Sequence, residues 1–423
     1  MQFPIGHDLL VYNNIHDRFH ILYLNFSSKL KSQNCCIFAA QKITMNVLHL
    51  LSWYPTPDNP MNGNFCLKQI ASVSDRVDSV ALTVVLDEKA TAKEVEVIDH
   101  PNFNHIYVHL RPYHGPFSRF VNKFRIFNNY NWGLKYVKKH FFVPDLVHQH
   151  VTLPVGRIAH YWKKRHGIPY VLTEHWTIYQ PQNRAMMTPK VQKAIREIAN
   201  NASRILPVSH DLQKNMQRYG ITAPFKVIPN VVDTDIFVQG EGVCDGRKHI
   251  LHISTLRDEA KNFSGILRVI QRLAAMRNDF VLDVVHDYRK PEFERFVHDN
   301  HLEEFVVFHG PKTEKEITRF YARADFFLLF SNFENLPCVL IESFACGLPV
   351  VTTNVGGICE IVDESRGRIV VAGDEDALYQ SVDYMLDHFQ DYDSAAIRQY
   401  AVEHFSKKVV GDLIWEAYLT VKN

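Results

Sequence analysis

The chain has 423 residues, 46% hydrophobic and 22% charged, and its 47 lysines and arginines against 46 aspartates and glutamates leave a formal net charge of +1. That length exceeds one ordinary core and suits two α/β domains, while the charge balance removes any whole-chain electrostatic case for nucleic acid. The seven cysteines (35, 36, 66, 244, 338, 346 and 359) show no paired zinc spacing and read as reduced thiols of a cytosolic protein, and no apolar run reaches the length of a membrane span.

In chain order, residues 1–44 show no clear signal peptide, because Asn, His, Asp and Arg interrupt the apolar positions. Met45 is read as the natural start. The alternative is a real N-terminal extension that docks or anchors the protein. Met45 to Pro55 reads as a first buried strand and its loop, and Asn62-Gly63-Asn64-Phe65 then forms a turn ahead of a helix. Strands are expected at Val80–Leu86, Asp145–His150, Tyr170–Thr173 and Arg204–Val208, separated by helical stretches such as Val155–Arg165. After Pro229-Asn230 a second set begins, with strands at His249–Ser254, Val281–Val285, Phe305–Phe308, Ala324–Phe330 and Val350–Thr353. Such alternation implies two doubly wound sheets with a ligand site in the cleft between them.

Between Pro101 and Pro144 there is no acidic residue, and Arg111, Arg119, Lys123, Arg125, Lys135, Lys138 and Lys139 interleave with Tyr113, Phe117, Phe120, Phe124, Phe127, Tyr130 and Trp132. The segment is either a surface for an anionic membrane or a solvated helix face over core aromatics. His148 and His150 form a His-x-His without an accompanying ligand cluster, which reads as strand-end packing, with His150 retained as an acceptor-side candidate.

The most informative stretch is Ser331 to Pro349. An apolar strand delivers its carboxyl end to a polar loop carrying Glu334, Pro337 suits a first helical position, and Gly347 and Pro349 end the helix that holds Glu342. At roughly 1.5 Å per helical residue and a more extended lead-in, the two carboxylates are about 12 Å apart. One can then face a sugar and the other a ribose, with phosphates over the unpaired N–H groups of Asn335 and Leu336 near the helix start; the alternative, favoured for two such residues taken alone, is a solvated loop Glu and a Glu paired elsewhere on its helix. Gly356-Gly357 follows the next strand as a turn whose backbone allows close approach of phosphate.

Glu334 to Glu342 resembles the E-x7-E element of the retaining GT-B glycosyltransferases of family 4 (glycosyl transferases group 1). The Gly-Leu-Pro-Val-Val and Gly-Gly-Ile-x-Glu-Ile-Val runs, Ile228 to Phe237, and Lys261-Asn262 are similar to neighbouring text of the same family. The resemblance spans about Met45 to the C-terminus. It implies an α/β fold of the GT-B type, two Rossmann-like domains facing each other across a cleft. The expected divisions are an extension (1–44), an acceptor-side domain (45–232), a nucleotide-sugar domain (233–405) and a C-terminal helix crossing back to the first domain (406–423).

The resemblance implies a metal-independent enzyme without cofactor. A sugar passes with retention from a nucleotide diphosphate to a hydroxyl of a glycan or lipid-linked acceptor, in cell-envelope or capsule polysaccharide assembly, at the cytoplasmic side of the plasma membrane. His175, Glu334 and Lys261 are the implied catalytic residues. Glu342, Arg257, Asn335, Leu336, Gly356, Gly357 and Gly63 would meet the donor, and His150 and Asn64 the acceptor. The family arginine expected six residues before Lys261 is Thr255 here, with Arg257 two positions later. The rivals are a GT-B sugar-nucleotide epimerase and a non-catalytic nucleotide-sugar-binding protein; a nicotinamide dehydrogenase is disfavoured because no G-x-G-x-x-G opens a helix after the first strand.

Overall fold

The computed structural model describes residues 45–55, 62–240, 242–243, 245–287 and 290–422. The reading of residues 1–44 therefore lies outside the described residues. Strands β1 (Asn46–Leu51), β2 (Asp78–Leu86), β3 (Glu94–His100), β4 (Phe103–Leu110), β5 (Leu146–His150), β6 (Tyr170–Glu174) and β7 (Arg204–Pro207) form one sheet in the order β3-β4-β2-β1-β5-β6-β7. Its pairs are parallel except β3–β4. A second, all-parallel sheet holds β8 (Lys248–Ser254), β9 (Phe280–His286), β10 (Val306–Gly310), β11 (Phe326–Leu329), β12 (Val350–Thr353) and β13 (Gly367–Val370) in the order β10-β9-β8-β11-β12-β13.

Central strands such as β1, β5, β6 and β11 are continuous buried runs because helices cover both faces. In each sheet the strand order reverses beside the first strand of the half, β1 or β8, and the crevice at the carboxyl ends of those strands is where such folds bind ligands.

Three strands went unread in the sequence. β3 alternates acidic with apolar residues and is almost wholly exposed, so it has no buried face to betray it. β4 falls inside the basic and aromatic segment, where Phe103, Ile106 and Tyr107 are core residues. β13 has only four residues, two of them exposed. The rest of the basic segment is largely the helix Ser118–His140. Its aromatics divide: Tyr130 is buried, Phe127 packs on Tyr161, and Trp132 lies under the Lys93 ammonium, whereas Phe117, Phe120 and Phe124 are 84%, 75% and 60% exposed.

The last helix, Lys407–Lys422, returns to the first sheet. Its Val410, Ile414, Ala417 and Tyr418 pack on Met45, Val47, Val73 and Leu146, and the Tyr418 hydroxyl lies 2.6 Å from His148 Nδ1. Arg76 pairs with Asp412. At Gly411 a Cβ would sit 2.0 Å from the Ser72 carbonyl, so glycine sets how closely this helix meets the helix Asn64–Val73.

Across β8 to β10, Asp283 lies 3.0 Å from His249 Nδ1 and 2.6 Å from His309 Nε2. Burial pushes the Asp283 carboxyl up, but its hydrogen bonds to the two histidines prevail and hold it down at about 2. The hydrogen bond to Asp283 raises His249 above its ordinary 6.5. The histidine contribution is complete below pH 6.5 and fades as pH rises through its elevated value; the aspartate contribution is complete above its ordinary 3.8 and fades as pH falls toward 2. Asp283→Asn is therefore expected to lower the urea midpoint more at pH 5 than at pH 9. An equal loss at both values would refute the coupling.

Candidate active site

The site forms where the carboxyl ends of the two sheets face each other. Two residues beyond the end of β11, the Ser331 hydroxyl donates to Glu334 at 2.8 Å. Glu334 also pairs directly with Lys261, and both side chains are largely buried. Lys261 closes the short helix Asp258–Lys261, and the Asn332 N–H donates to the Ala260 carbonyl at 2.8 Å, so the two loops hold each other. The helix Cys338–Ala345 follows directly on Pro337 and carries Glu342.

The glycine turn after β12 opens a 3₁₀ turn, Gly356–Glu360, rather than a longer helix. Gly356 has φ +55°, and a Cβ there would lie 2.0 Å from the Glu334 carbonyl oxygen. The Gly357 N–H donates to the Asn335 carbonyl at 2.7 Å. That N–H thus serves loop-to-loop contact instead of standing free for a phosphate as the sequence suggested.

Opposite, β6 ends in Glu174, and His175 follows it directly. Glu174 is completely buried, and its carboxylate accepts from the N–H groups of His175 and Trp176 at 2.9 Å each, from Thr152, and from the Tyr179 hydroxyl at 3.2 Å. It thereby fixes the turn that presents His175. Burial raises the Glu174 carboxyl and lowers the His175 imidazole to about 3, so His175 is neutral near pH 7. Its Nε2 lies 3.3 Å from Gln69 Oε1.

Direct bonds join the two halves. Asn335 Nδ2 donates to the His175 carbonyl at 2.7 Å, Gln180 Nε2 to the Glu334 carbonyl and Asn335 Oδ1 at 2.9 Å, and Asn230 Nδ2 to the Leu336 carbonyl at 2.7 Å. The Glu360 carboxylate accepts from the His210 and Asp211 N–H groups at 2.8 and 2.7 Å, a favourable charge at the start of the helix His210–Arg218. Lys68 reaches from the first half to Glu342 Oε1 at 3.0 Å and also pairs with Glu314.

His175, Glu334, Lys261, Asn335, Leu336, Gly356 and Gly357 therefore converge. Glu342 is buried nearby, held by Lys68 and by the Tyr321 hydroxyl at 3.3 Å. Gly63 precedes the helix Asn64–Val73 with φ +68°, where a Cβ would meet Trp53 C at 2.4 Å, so its need for glycine is a tight turn. Asn64 lines a cavity of about 770 Å³ together with Lys68, Asp233 and Glu314; Glu334 and His175 are not on its wall. Two residues take the plainer of the roles open to them: a surface position for Arg257, and strand-end packing, the reading favoured for the His-x-His, for His150. Arg257 is exposed and makes no ion pair among the described residues, so it does not join Lys261 at Glu334. His150 is wholly buried, with Nε2 3.2 Å from His49 Nδ1, and does not open toward an acceptor.

Sequence reasoning missed Lys68, Gln69, Gln180 and Glu174. Glu174 was legible as an acid ending a buried strand beside His175. Lys68 and Gln180 act across the cleft, and Gln69 meets His175 from a helix over a hundred positions earlier, so none of the three leaves a local pattern.

Sequence profiles match both halves: Glycosyltransferase Family 4 over residues 81–236, and Glycosyl transferases group 1 over residues 247–388. The chain belongs to the family 4, group 1 type of GT-B glycosyltransferases. It is 27% identical over 247 residues to the N-acetyl-alpha-D-glucosaminyl L-malate synthase of Bacillus anthracis, covering 54% of this chain and 62% of that protein. It is 24% identical over 263 residues to the putative teichuronic acid biosynthesis glycosyltransferase TuaC of Bacillus subtilis, covering 59% and 63%. The chain thus spans somewhat under two thirds of these relatives' length. Among solved structures, sucrose-phosphate synthase from Thermosynechococcus elongatus superposes with TM-score 0.71 at 16% identity, covering 89% of this chain and 99% of that one. Anabaena HepE in complex with UDP and glucose gives TM-score 0.68 at 19% identity, covering 89% and 99%. These likenesses show the GT-B fold.

Proposed function

We propose that the protein transfers a sugar from a nucleotide diphosphate to an acceptor hydroxyl, with retention and without a catalytic metal ion, in the assembly of an envelope polysaccharide or glycoconjugate. The observation that carries the reading is the junction of Lys261, Glu334 and Asn335 with His175 across the cleft. An ammonium beside a carboxylate, at the carboxyl end of β11 and before a helix start, suits a sugar diphosphate: Lys261 takes the leaving diphosphate as a point charge, and Glu334 turns to the sugar hydroxyls. The neutral His175 imidazole can hydrogen-bond a sugar hydroxyl without adding charge. The leaving phosphate oxygen itself accepts the acceptor proton on the same face, so no covalent nucleophile is required. Glu342 would hold the ribose once Lys68 yields one of its oxygens. The name of one relative, a putative teichuronic acid biosynthesis glycosyltransferase, favours the polysaccharide setting.

The test incubates the protein with UDP-, GDP- and ADP-sugars without added metal and follows nucleotide diphosphate release, with and without a lipid-linked acceptor extract. Acceptor-dependent release that disappears in Glu334→Ala supports transfer. Isomerisation without acceptor would instead make the protein an epimerase, and binding without turnover a binding protein.

The acceptor is proposed to be lipid-linked, because Phe117, Phe120 and Phe124 are exposed beside Arg119 and Lys123 at the start of the helix Ser118–His140. No helix among the described residues is long and apolar enough to cross a membrane, which leaves a peripheral contact as the mode this patch would provide. Phe120→Ser with Phe124→Ser is expected to weaken binding to vesicles containing an anionic phospholipid by at least about tenfold, since a buried phenyl ring is worth ~1.5–3 kcal/mol. Equal sedimentation of wild type and variant with those vesicles would dismiss this contact.

A further inference from the structure

Behind His175 lies a group of side chains that the transfer mechanism does not use. His49, His148 and His150 are completely or almost completely buried, and their ligand atoms lie within 4.8 Å of one another. That group is knit by hydrogen bonds: His148 meets the Tyr418 and Thr173 hydroxyls at 2.6 Å each, and His49 meets His150 Nε2 at 3.2 Å and the Ser79 hydroxyl at 3.3 Å. Both nitrogens of His49 and of His148 are thereby engaged. One is left over, because His150 Nδ1 is buried without a hydrogen-bond partner. An orphaned buried polar atom costs about 1–3 kcal/mol, so its persistence calls for an explanation.

His150 also belongs to a second group, with Cys66 and His175, whose ligand atoms again lie within 4.8 Å of one another. Cys66 is wholly buried in the first turn of the helix Asn64–Val73. A second orphan, Gln69 Nε2, is on the same helix, on the side chain whose Oε1 faces His175.

We propose that Cys66, His150 and His175 form a binding site for a zinc ion that switches the transferase off by capturing His175. One thiolate and two imidazoles are the donor set zinc favours, with bonds of about 2.0–2.3 Å, and three protein ligands leave a fourth position for water. Three atoms no more than 4.8 Å apart reach those lengths by moving inward about half an ångström to an ångström each. Coordination breaks the S–H bond of Cys66, the thiolate pair goes to the metal, and the proton leaves to solvent. His150 Nδ1 is the ring nitrogen free to coordinate, since Nε2 is taken by His49. The inhibitory consequence rests on the proposed role of His175 in transfer, whereas the binding does not, so the two are measured apart.

The experiment titrates the full chain with cobalt(II) as a spectroscopic stand-in, then with zinc. One equivalent of cobalt is expected to produce the intense visible bands of a tetrahedral site with a thiolate charge-transfer band, and one equivalent of zinc to bleach them. Cys66→Ser should lose the charge-transfer band, His150→Gln should lose saturable binding at one equivalent, and Cys359→Ser, which alters an exposed thiol elsewhere, should change neither. Thermal melts establish which variants are folded; if Cys66→Ser is not, His150→Gln carries the test. A band that survives in the folded variants, or the absence of a saturable one-equivalent site in wild type, overturns the proposal. If cobalt binds as expected while zinc leaves nucleotide diphosphate release untouched, the site stands and its inhibitory role falls.

Discussion

Lys261→Ala and Glu334→Gln are each expected to lower kcat/KM for sugar transfer by about 10²–10³-fold, and the double variant to lose little more than either alone. Lys261 is the cation placed to meet charge that develops on a leaving diphosphate, and a donor of that kind acts in a largely dry site, where its effect exceeds that of a surface charge. Glu334 is held by Lys261 and by the Ser331 hydroxyl, so its carboxylate depends on the same ammonium for its position. Removing either partner leaves the other charge in a mostly buried place without its counterion, which is why the two losses should overlap. Steady-state kinetics with a defined donor and acceptor provide the cycle. Losses that multiply, or a loss in Glu334→Gln smaller than about threefold, would mean that the pair is a structural ion pair and not part of the catalytic apparatus.

Gly356→Ala is expected to cost at least ~2 kcal/mol more stability than Gly373→Ala, and to take most of the activity with it. Both glycines have positive φ, +55° and +82°, so both replacements carry the ordinary penalty of about 1 kcal/mol for a left-handed alanine. They differ in what the new methyl meets. At Gly373 nothing lies within 4 Å, whereas at Gly356 the Glu334 carbonyl oxygen is 2.0 Å away and its carbon 2.7 Å. The clash is with backbone that cannot rotate aside, so the loop bearing Glu334 must shift and the Lys261 contact and the Asn335 bond to His175 shift with it. Urea denaturation of the two variants separates strain from collision. Equal destabilisation would show that the two loops do not depend on this close approach.

The buried strands were legible because parallel strands covered on both faces must be apolar throughout, and β1, β2, β8, β9 and β11 all stand within a few residues of the expected positions. β3 was not, since an exposed edge strand of alternating Glu and Val carries no such requirement. Within the site, Glu334 and Glu342 stood out as acids in a strand-end loop and an apolar helix, whereas Lys261 and His175 were singled out only by the family resemblance, because an isolated lysine or histidine after a strand has no pattern of its own. Arg257 illustrates the limit: two residues of displacement along a loop put its side chain in solvent, and spacing alone does not say which way a loop residue faces. Gly357 was read as a phosphate contact from its turn, yet its N–H is spent on the Asn335 carbonyl, a partner more than twenty positions earlier.

By itself, then, the amino-acid sequence determined two wound α/β halves, the loops at their strand ends and the identity of the charged residues on those loops, because each of these follows from local periodicity and from the chemistry of the chain beside it. Only the tertiary structure decided which residues meet. Lys68 finds Glu342 across 274 positions, Gln180 finds Glu334 across 154, and Cys66 comes within ligand distance of His150 and His175 although no spacing joins them. The first two form when two sheets pack their carboxyl ends together and the third when a helix packs on the strands of its own half, and contact between distant segments is a property of that packing, not of any window along the chain.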